Sequence, residues 1–268
     1  MPDLIFSHGN SFPASTYRVL LDSLRARGYT VHTIEKYGHD PAYPVTDNWP
    51  HLVRQLADFA GAHTPAGAPL PWLVGHSLGG ILSLMCVAQY PGLACGAVLL
   101  DSPVPSGWRA HGLSLAKRAP ALIRRWSPSQ VSRRRRNEWQ DREAVFEHFR
   151  AKKVFANWDP QVLHDYVDHG VIGADGVWRL AFEREVESRI YDTVPHHIQS
   201  LLRRHPLKRP VAFIGGLQST ELRRAGGAER IRRVITPRMM MIDGTHLFPM
   251  EKPLAAAAAV EACLRAMG

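Results

Sequence analysis

The two ends of the chain alternate between short apolar runs and stretches in which apolar residues recur every three or four positions. Short apolar runs predict buried strands, and the longer spacing predicts amphipathic helices. This alternation predicts an α/β fold, in which a mostly parallel sheet of about six strands is flanked by helices on both faces. The predicted strands cover residues 4–7, 29–34, 70–74, 97–100, 211–214 and 239–242, and the predicted helices lie around residues 17–24, 49–59, 81–88, 221–233 and 254–267.

The middle of the chain has a different pattern. Residues 104–205 predict helices separated by prolines instead of alternating strands and helices. With 268 residues, of which 45% are hydrophobic, the chain is long enough to form one sizeable core and a smaller covering unit. We therefore expect residues 1–103 and 206–268 to form the core, and residues 104–205 to form an insertion that covers it.

A serine stands between two glycines where the strand predicted at 70–74 meets the helix predicted at 81–88. The sequence at this point is Gly-His-Ser-Leu-Gly, with the serine at position 77. In so sharp a turn, a β-carbon two residues before or after the serine would collide with the crossing backbone, which explains both glycines. Because the turn holds its hydroxyl clear of the sheet, Ser77 is the candidate nucleophile.

A His-Gly-Asn sequence at residues 8–10 directly follows the first predicted strand. The glycine allows the chain to bend there, so the next backbone N–H is free to point towards the serine. We expect the N–H groups of Asn10 and Leu78 to form an oxyanion hole, which would hold the negative oxygen that develops when Ser77 attacks a carbonyl.

A histidine follows the last predicted strand, within the Gly-Thr-His sequence at residues 244–246. A single histidine on a loop is most often only a surface residue. His246, however, comes after the correct strand and at the same edge of the sheet as Ser77, in the chain order expected of a nucleophile and its base. We therefore expect His246 to accept the proton of the Ser77 hydroxyl as a general base.

Together these motifs resemble those of the α/β-hydrolase superfamily. The resemblance rests on residues 8–10, 75–80 and 244–249, and it covers both ends of the chain, whereas the middle matches in position only. It implies a serine hydrolase with a helical cap, in which Ser77 is the nucleophile, His246 is the base and the N–H pair described above is the oxyanion hole. The resemblance begins at the superfamily's third strand, so the first strands of that fold are expected to be absent.

The sequence leaves open which carboxylate would complete a catalytic triad. In most relatives an Asp follows the penultimate strand, but Ser219 stands at that position in this chain. Two carboxylates are candidates: Asp101, after the strand predicted at 97–100, and Glu221, two residues beyond Ser219. Some members of the superfamily carry the acid after the earlier strand, which favours Asp101, although an Asp at such a turn can also serve only to cap the loop. The acid would hold the tautomer of His246.

A serine at the turn favours acyl transfer to water, because an alkyl ether formed on serine during epoxide or haloalkane opening would not be hydrolysed. The expected substrates are small-molecule carboxylic esters or thioesters, and the pattern identifies no substrate-binding residues. Two alternatives remain: a cofactor-free hydrolase of carbon–carbon bonds, and a non-catalytic binding protein, for which the substituted acid position would be typical. The sequence contains no metal-binding cluster and no phosphate-binding glycine loop, so neither a metal nor a cofactor is expected.

Positive charge is concentrated in the middle of the chain. Residues 104–210 contain 20 Lys or Arg and 12 Asp or Glu, which accounts for +8 of the chain's +9. Arg133 to Arg136 form the densest run. Four successive residues spiral around a helix, so we expect a solvated surface, with docking of an acidic substrate such as a phosphate-bearing thioester as the second interpretation. No recognition motif accompanies the run, and no nucleic-acid partner is expected.

The cysteines and the amino terminus suggest a location. Cys86, Cys95 and Cys263 are odd in number and lie in apolar surroundings, which favours free thiols in a reducing compartment. The first residues include Asp3 and too few apolar residues for a signal peptide or a membrane span. These features predict a soluble cytoplasmic protein. They do not indicate an oligomeric state.

Aromatic residues are frequent in the middle of the chain. They are large enough to line a pocket for an acyl chain. In a small helical unit, however, aromatic side chains more often hold the helices together, and we favour that interpretation for each of them. They are Trp108, Phe146, Phe149, Phe155, Trp158, Tyr166 and Trp178.

Overall fold

A parallel sheet lies at the centre of the computed structural model, which describes residues 3–104, 128–235 and 238–268. The described strands are β1 (Leu4–Ser7), β2 (Val31–Thr33), β3 (Trp72–His76), β4 (Gly96–Leu100), β5 (Glu138–Trp139), β6 (Val171–Ala174), β7 (Val177–Leu180), β8 (Val211–Gly216) and β9 (Arg238–Ile242). Six of them form the central sheet in the order β2-β1-β3-β4-β8-β9, and every neighbouring pair is parallel. The predicted fold class is therefore confirmed.

Helices cover both faces of this sheet and continue through the middle of the chain. Short 3-10 turns at Ala14–Tyr17 and Lys153–Phe155 accompany them. The described helices are α1 (Arg18–Ala26), α2 (Pro50–Ala62), α3 (Leu78–Gln89), α4 (Pro128–Arg134), α5 (Arg142–Arg150), α6 (Pro160–His169), α7 (Arg184–Asp192), α8 (Ile198–Arg204), α9 (Thr220–Arg224), α10 (Gly227–Ile235), α11 (Phe248–Glu251) and α12 (Pro253–Met267).

The four inner strands of the central sheet, β1, β3, β4 and β8, are fully buried, whereas the edge strands β2 and β9 are partly exposed. Successive side chains of a strand point to opposite faces of the sheet. In β1, Leu4 and Phe6 belong to one hydrophobic cluster, whereas Ile5 belongs to the other. The first cluster includes residues of α1 and α12, and the second includes residues of α2 and α3. Unbroken apolar runs such as residues 97–100 are therefore typical of strands in this sheet.

The helix expected around residues 221–233 is wrong in one respect, because it is two helices. Ala225 and Gly226 separate α9 from α10, which begins at Gly227, and the φ angles of Gly226 and Gly227 are +109° and +75°. A positive φ at two successive residues breaks the right-handed helix, and glycine adopts it without steric cost. The strand expected at 29–34 is also shorter, and covers only Val31–Thr33.

The middle of the chain is not purely helical, which corrects the expectation from the sequence. Strands β5, β7 and β6 form a small antiparallel sheet there. Asp175 and Gly176 join β6 to β7 and have φ angles of +52° and +73°. A two-residue Asp-Gly loop with both φ angles positive is the preferred connection of a tight hairpin, so this dipeptide carried a signal that the helical interpretation overlooked.

The arginine run is only partly on the surface. Helix α4 ends at Arg134, so the run does not continue around one helix. Arg133 is exposed and pairs with Asp192 at 2.7 Å. Arg135 turns inward instead, and its guanidinium lies 3.0 Å from the carboxylate of Glu187, which is 6% exposed. The expectation of a solvated surface is therefore wrong for Arg135, because a buried carboxylate requires a partner.

Aromatic residues of the middle segment pack mainly against one another. The ring of Phe149 lies 5.1 Å from that of Phe155 and 5.0 Å from that of Tyr166, between ring centroids. Phe155 also contacts Trp158 at 4.5 Å. These contacts agree with the expectation that the aromatic side chains hold the segment together. Trp108 lies outside the described residues.

Two further expectations concern the chain as a whole. All three cysteines are free, and Cys86 and Cys263 are buried. Among the helices that the structure describes, none is both long enough and apolar enough to cross a lipid bilayer.

Candidate active site

Ser77 lies at the sharp turn between β3 and α3. Its φ angle is +53°, a value that non-glycine residues adopt rarely and mostly at functional sites. A β-carbon on Gly75 would lie 2.2 Å from the carbonyl carbon of Gly79, and one on Gly79 would lie 2.0 Å from the carbonyl oxygen of Ser7. Both glycines are therefore required by close backbone contacts, as the sequence predicts.

The imidazole of His246 lies between a hydroxyl and a carboxylate. Its Nε2 is 3.1 Å from Oγ of Ser77, and its Nδ1 is 2.8 Å from Oδ1 of Asp101. A carboxylate can only accept, so Nδ1 carries the hydrogen and donates it to Asp101. The lone pair on Nε2 then accepts the hydrogen of the Ser77 hydroxyl. The structure thus brings these three sequence-predicted residues together in the order that proton transfer requires.

Asp101 is fully buried at the carboxyl end of β4. Besides His246, the hydroxyl of Ser219 donates to its Oδ1 at 2.7 Å, and the backbone N–H of Gly216 donates to its Oδ2 at 2.7 Å. Its own φ angle is +39°, another rare value for a non-glycine residue. Three donors therefore hold a carboxylate that no solvent reaches, which fixes its orientation towards the imidazole.

Glu221, the alternative acid, occupies a different place. It is partly exposed on α9, and its Oε2 accepts a hydrogen bond from the neighbouring Thr220 hydroxyl at 2.9 Å. No hydrogen bond between Glu221 and His246 occurs among the residues that the structure describes. Glu221 borders the cavity above Ser77.

The two N–H groups expected to form an oxyanion hole lie beside the serine. Asn10 and Leu78 border the same cavity as Ser77, and within the described residues neither backbone N–H has an acceptor. The backbone N–H of Gly79 donates to the carbonyl of His8 at 3.1 Å, which joins the two loops. A free pair of N–H groups next to a nucleophile is the arrangement that stabilises a developing oxyanion.

A hydrogen-bond chain that the sequence analysis missed supports both loops of the site. Tyr17, which is 1% exposed, accepts a hydrogen bond from the N–H of Gly9 at 2.9 Å. Its hydroxyl hydrogen is directed to Nδ1 of His76 at 2.7 Å, and Nε2 of His76 lies 2.9 Å from the carbonyl oxygen of His246. A carbonyl only accepts, so the hydrogen of His76 is on Nε2 and its Nδ1 accepts from Tyr17.

Burial keeps this chain of hydrogen bonds in a single protonation state. Full burial lowers the pKa of His76 to about 3, and it raises the pKa of Tyr17 far above its usual value. Near neutral pH both groups are therefore uncharged, and their hydrogen bonds keep the same direction. The position of His76, between Gly75 and Ser77 on a buried strand, was the available sequence signal for its role.

Hydrogen bonds to the side chains of Glu251 and Gln218 also hold the loop that carries His246. The carboxylate of Glu251 accepts hydrogen bonds from both the backbone N–H and the hydroxyl of Thr245, the former at 2.9 Å. The side chain of Gln218 accepts the N–H of Gly244 at 2.5 Å. These bonds satisfy the polar groups of the turn and limit its movement, which fixes the direction of the imidazole.

Two cavities meet above Ser77. One, which we call the polar lobe, has a volume of about 380 Å³, and the other, the apolar lobe, about 560 Å³. The residues that border both lobes are Asn10, Ser77, Tyr191, Glu221 and His246. The polar lobe is also bordered by Gly9, Phe12, His76, Lys153, Val154, Asn157, Gln218, Thr220, Thr245, Leu247 and Glu251. The apolar lobe is also bordered by Trp49, Leu78, Ile81, Pro103, Pro128, Ile190, Val194, Arg224 and Ala225.

The described residues contain no group of three or more His, Cys, Asp or Glu side chains placed to hold a metal ion. The groups that border the serine turn can themselves carry out nucleophilic chemistry. They comprise a hydroxyl, an imidazole whose Nε2 lone pair accepts the hydrogen of that hydroxyl, a buried carboxylate and two N–H donors.

Comparison with known proteins identifies the family. The sequence profile of the Alpha/beta hydrolase family matches residues 4–260, nearly the whole chain. A pyrethroid hydrolase from Sphingobium wenxiniae is 29% identical over 129 residues, and the match covers 42% of this chain and 45% of that protein. Less than half of that relative's length is therefore matched. The chain belongs to the alpha/beta hydrolase family, which confirms the resemblance inferred from its motifs.

Solved structures show the same fold. A peroxisomal alpha/beta-hydrolase from Saccharomyces cerevisiae superimposes with a TM-score of 0.74 at 16% identity, covering 98% of this chain and 75% of that one. An esterase from M. tuberculosis superimposes with a TM-score of 0.72 at 20% identity, covering 98% of this chain and 85% of that one. At such low identity these similarities concern the fold alone.

Proposed function

We propose that this protein is a serine hydrolase that cleaves small-molecule carboxylic esters or thioesters through an acyl-enzyme on Ser77. The observation that carries the proposal is the hydrogen-bonded series from Ser77 through His246 to Asp101, with distances of 3.1 and 2.8 Å. Membership of the alpha/beta hydrolase family supports it. The similar proteins named as a pyrethroid hydrolase and as an esterase also support a hydrolytic function.

In the first half of the reaction, Oγ of Ser77 attacks the carbonyl carbon while its proton moves to Nε2 of His246. The carbonyl oxygen becomes negative and is held by the N–H groups of Asn10 and Leu78. The bond from the carbon to the leaving oxygen or sulfur then breaks, and His246 gives its proton to that atom. An alcohol or thiol departs, and the acyl group remains on Ser77.

In the second half, water replaces the leaving group. His246 takes a proton from the water as its oxygen attacks the acyl carbon, and the same N–H pair holds the oxyanion. The bond to Oγ of Ser77 breaks, the serine recovers its proton from His246, and a carboxylic acid is released. Throughout both steps, Asp101 stabilises the imidazolium and holds its Nδ1–H in place, and it stays ionised.

We also propose that residues 104–205 act as a cap on a core formed by residues 1–103 and 206–268. Side chains of the middle segment border the cavity above the serine, among them Asn157 and Tyr191. The side-chain amide of Asn10 donates to the carbonyl of Glu187 at 3.1 Å, which links residues 8–10, the oxyanion loop, to α7. Substrate would therefore be enclosed between the sheet edge and this segment.

Covalent labelling with a serine-directed fluorophosphonate tests the proposal. The native protein is expected to be labelled, Ser77→Ala to show no labelling, and His246→Ala to be labelled at a strongly reduced rate. Ser200→Ala is the matched control, because the Ser200 hydroxyl donates to the carbonyl of His197 at 2.8 Å and borders neither lobe. No labelling of the native protein would favour a non-catalytic binding protein, and unchanged labelling of Ser77→Ala would show that the reactive residue is not Ser77.

A further inference from the structure

The two lobes above Ser77 differ in the chemistry of their walls. Apart from the residues that they share, the apolar lobe is bordered by aliphatic, aromatic and proline side chains, with Arg224 as its one charged neighbour among the described residues. Apolar atoms make up most of the lining of both lobes, but the polar lobe is the more polar of the two, and Lys153 and Asn157 are among the side chains that border it alone. A substrate that fills both lobes is therefore expected to have one end that is more polar than the other.

The position of His246 decides which end of the substrate enters which lobe. As the acyl-enzyme forms, the leaving atom must receive its proton from Nε2 of His246, so the leaving group lies on the side of the histidine loop. Thr245, Leu247 and Glu251, the neighbours of His246 in that loop and in α11, border the polar lobe only. The leaving group therefore extends into the polar lobe.

The acyl chain must lie on the other side of the scissile bond. Leu78 supplies one of the two N–H groups proposed to hold the carbonyl oxygen, and Leu78 and Ile81 border the apolar lobe only. Trp49 and Ile190 form further apolar wall, and they are 2% and 1% exposed, respectively. An aliphatic acyl chain that enters this lobe removes apolar surface from water, which is favourable in proportion to its length.

This inference rests on the proposed function. We propose that the substrates are esters or thioesters of an apolar, medium-length acyl chain with a polar alcohol or thiol. The acyl chain binds in the apolar lobe, and the alcohol or thiol binds in the polar lobe. Tyr191 and Glu221 border both lobes and lie near the junction. This assignment gives the two lobes separate roles in specificity. Changes to one lobe should alter acyl preference, and changes to the other should alter leaving-group preference.

Two valines provide a matched test, because each borders one lobe only. Val194→Phe adds bulk to the apolar lobe, and Val154→Phe adds the same bulk to the polar lobe. We expect Val194→Phe to lower the ratio of kcat/KM for p-nitrophenyl octanoate to that for the acetate by at least about tenfold. Val154→Phe should instead lower the ratio for naphthyl acetate to p-nitrophenyl acetate. Val131→Phe, at a residue that is 65% exposed and borders neither lobe, should change neither ratio.

A second pair of substrates tests the polarity of the leaving-group side. Glyceryl octanoate and propyl octanoate share the acyl chain and the carbon number of the alcohol, and differ by two hydroxyl groups. We expect the native protein to prefer the glyceryl ester by about tenfold or more in kcat/KM, because the hydroxyls can pair with the wall of the polar lobe. Asn157→Ala should reduce that preference. Preference for the propyl ester would overturn the polar assignment.

The outcomes separate this inference from the proposed function. If the native protein is not labelled by the fluorophosphonate, the proposed function fails. If labelling is intact but Val154→Phe lowers the octanoate ratio, or Val194→Phe leaves it unchanged, the lobe assignment fails alone. Ala225→Leu, at another border of the apolar lobe, replaces Val194→Phe if that variant does not fold, and it should lower the same octanoate ratio.

Discussion

The hydroxyl of Ser219 donates a hydrogen bond to Asp101, with 2.7 Å between Oγ and Oδ1. Ser219 stands after β8, where most members of the superfamily carry the acid, whereas Asp101 ends the neighbouring strand β4. The residue at the usual acid position therefore orients the carboxylate that contacts His246. A serine there is compatible with an intact triad and is no sign of a lost one.

Replacement of Asp101 by Asn is expected to reduce kcat on a short-chain aryl ester by up to about 10⁴-fold, as in other triads, because an amide does not hold the Nδ1–H tautomer of the imidazole. Glu221→Gln is the matched control, since it also removes one carboxylate, at a residue that borders the cavity, and it should change kcat by less than about tenfold. Steady-state kinetics of both variants measure this. A larger effect in Glu221→Gln would contradict the assignment of Asp101.

Removal of the Tyr17 hydroxyl should lower the catalytic rate, although this hydroxyl contacts Gly9 and His76 and not the reacting atoms. Tyr17→Phe leaves the Gly9 N–H and His76 Nδ1 without their partner, so we expect a loss of about 1–3 kcal/mol in the free energy of unfolding. The oxyanion loop and the His246 loop then lose a shared anchor, and kcat should fall by about 10- to 100-fold with little change in KM.

Tyr29→Phe is the control for this variant. Tyr29 packs in the same hydrophobic cluster as Tyr17, and no hydrogen bond of its side chain occurs among the described residues. It should therefore lose neither activity nor much stability. If Tyr17→Phe raised KM while leaving kcat unchanged, the hydroxyl would not act by positioning the catalytic groups.

Two helical glycines should respond to the same substitution in opposite directions. Gly79→Ala places a β-carbon 2.0 Å from the carbonyl oxygen of Ser7, so it should destabilise the protein by more than about 3 kcal/mol or prevent folding. Gly61 lies in α2, and a β-carbon on it would have no neighbouring atom within 4 Å, so Gly61→Ala should stabilise by up to about 1 kcal/mol. Urea denaturation of both variants measures the difference. Equal tolerance of the two would show that the backbone crossing at the serine turn is not close.

Stability should fall as the pH decreases from about 6.5 to about 4. Burial lowers the pKa of His8 to about 4 and that of His76 to about 3, whereas unfolded histidines titrate near pH 6.5. In this window the unfolded state binds more protons than the folded state, so the free energy of unfolding rises with pH. Each histidine contributes a slope of up to about 1.4 kcal/mol per pH unit.

Urea unfolding at several pH values between 4.5 and 7.5 measures that slope. His39 and His148 contribute with the same sign, since burial lowers the pKa of each. The informative quantity is therefore the difference between the native protein and His8→Asn. The slope of the unfolding free energy with pH should be smaller in His8→Asn, by up to about 1.4 kcal/mol per pH unit, which corresponds to one proton. An identical slope in the two proteins would mean that His8 takes up its proton as easily in the folded state as in the unfolded state.

Features of the chain that depend on local sequence were predictable. The strands and helices of the core follow from apolar periodicity, and the serine turn follows from Gly75 and Gly79, because neighbouring residues determine both. The Asp175-Gly176 hairpin had an equally local signal, but the prolines around it suggested helices instead. The split between α9 and α10 was likewise encoded in a pair of adjacent glycines.

Distant contacts were predictable only where the family motifs pointed to them, as for Ser77 and His246. Asp101 and His246 are 145 positions apart, and the sequence left Glu221 open as an alternative partner. The link between Tyr17 and His76 spans 59 positions and joins a side chain of the 3-10 turn before α1 to one of β3. Such partners are chosen by the packing of the sheet, and periodicity contains no information about them.

Asp101 precedes residue 104, where the proposed cap begins, so the residues that contact His246 and the proposed cap lie in different parts of the chain. Ser77 and Asp101 directly follow adjacent strands, β3 and β4, and both precede residue 104, so the register of one strand pair sets their spacing. On the proposal that residues 104–205 act as a cap, a change in that segment would reshape the cavity above Ser77, while the β3–β4 pair would still set the spacing of Ser77 and Asp101. An exchange of the proposed cap would also have to keep the hydrogen bond from the Asn10 side chain to the carbonyl of Glu187, as well as the return of β8 and the loop of His246.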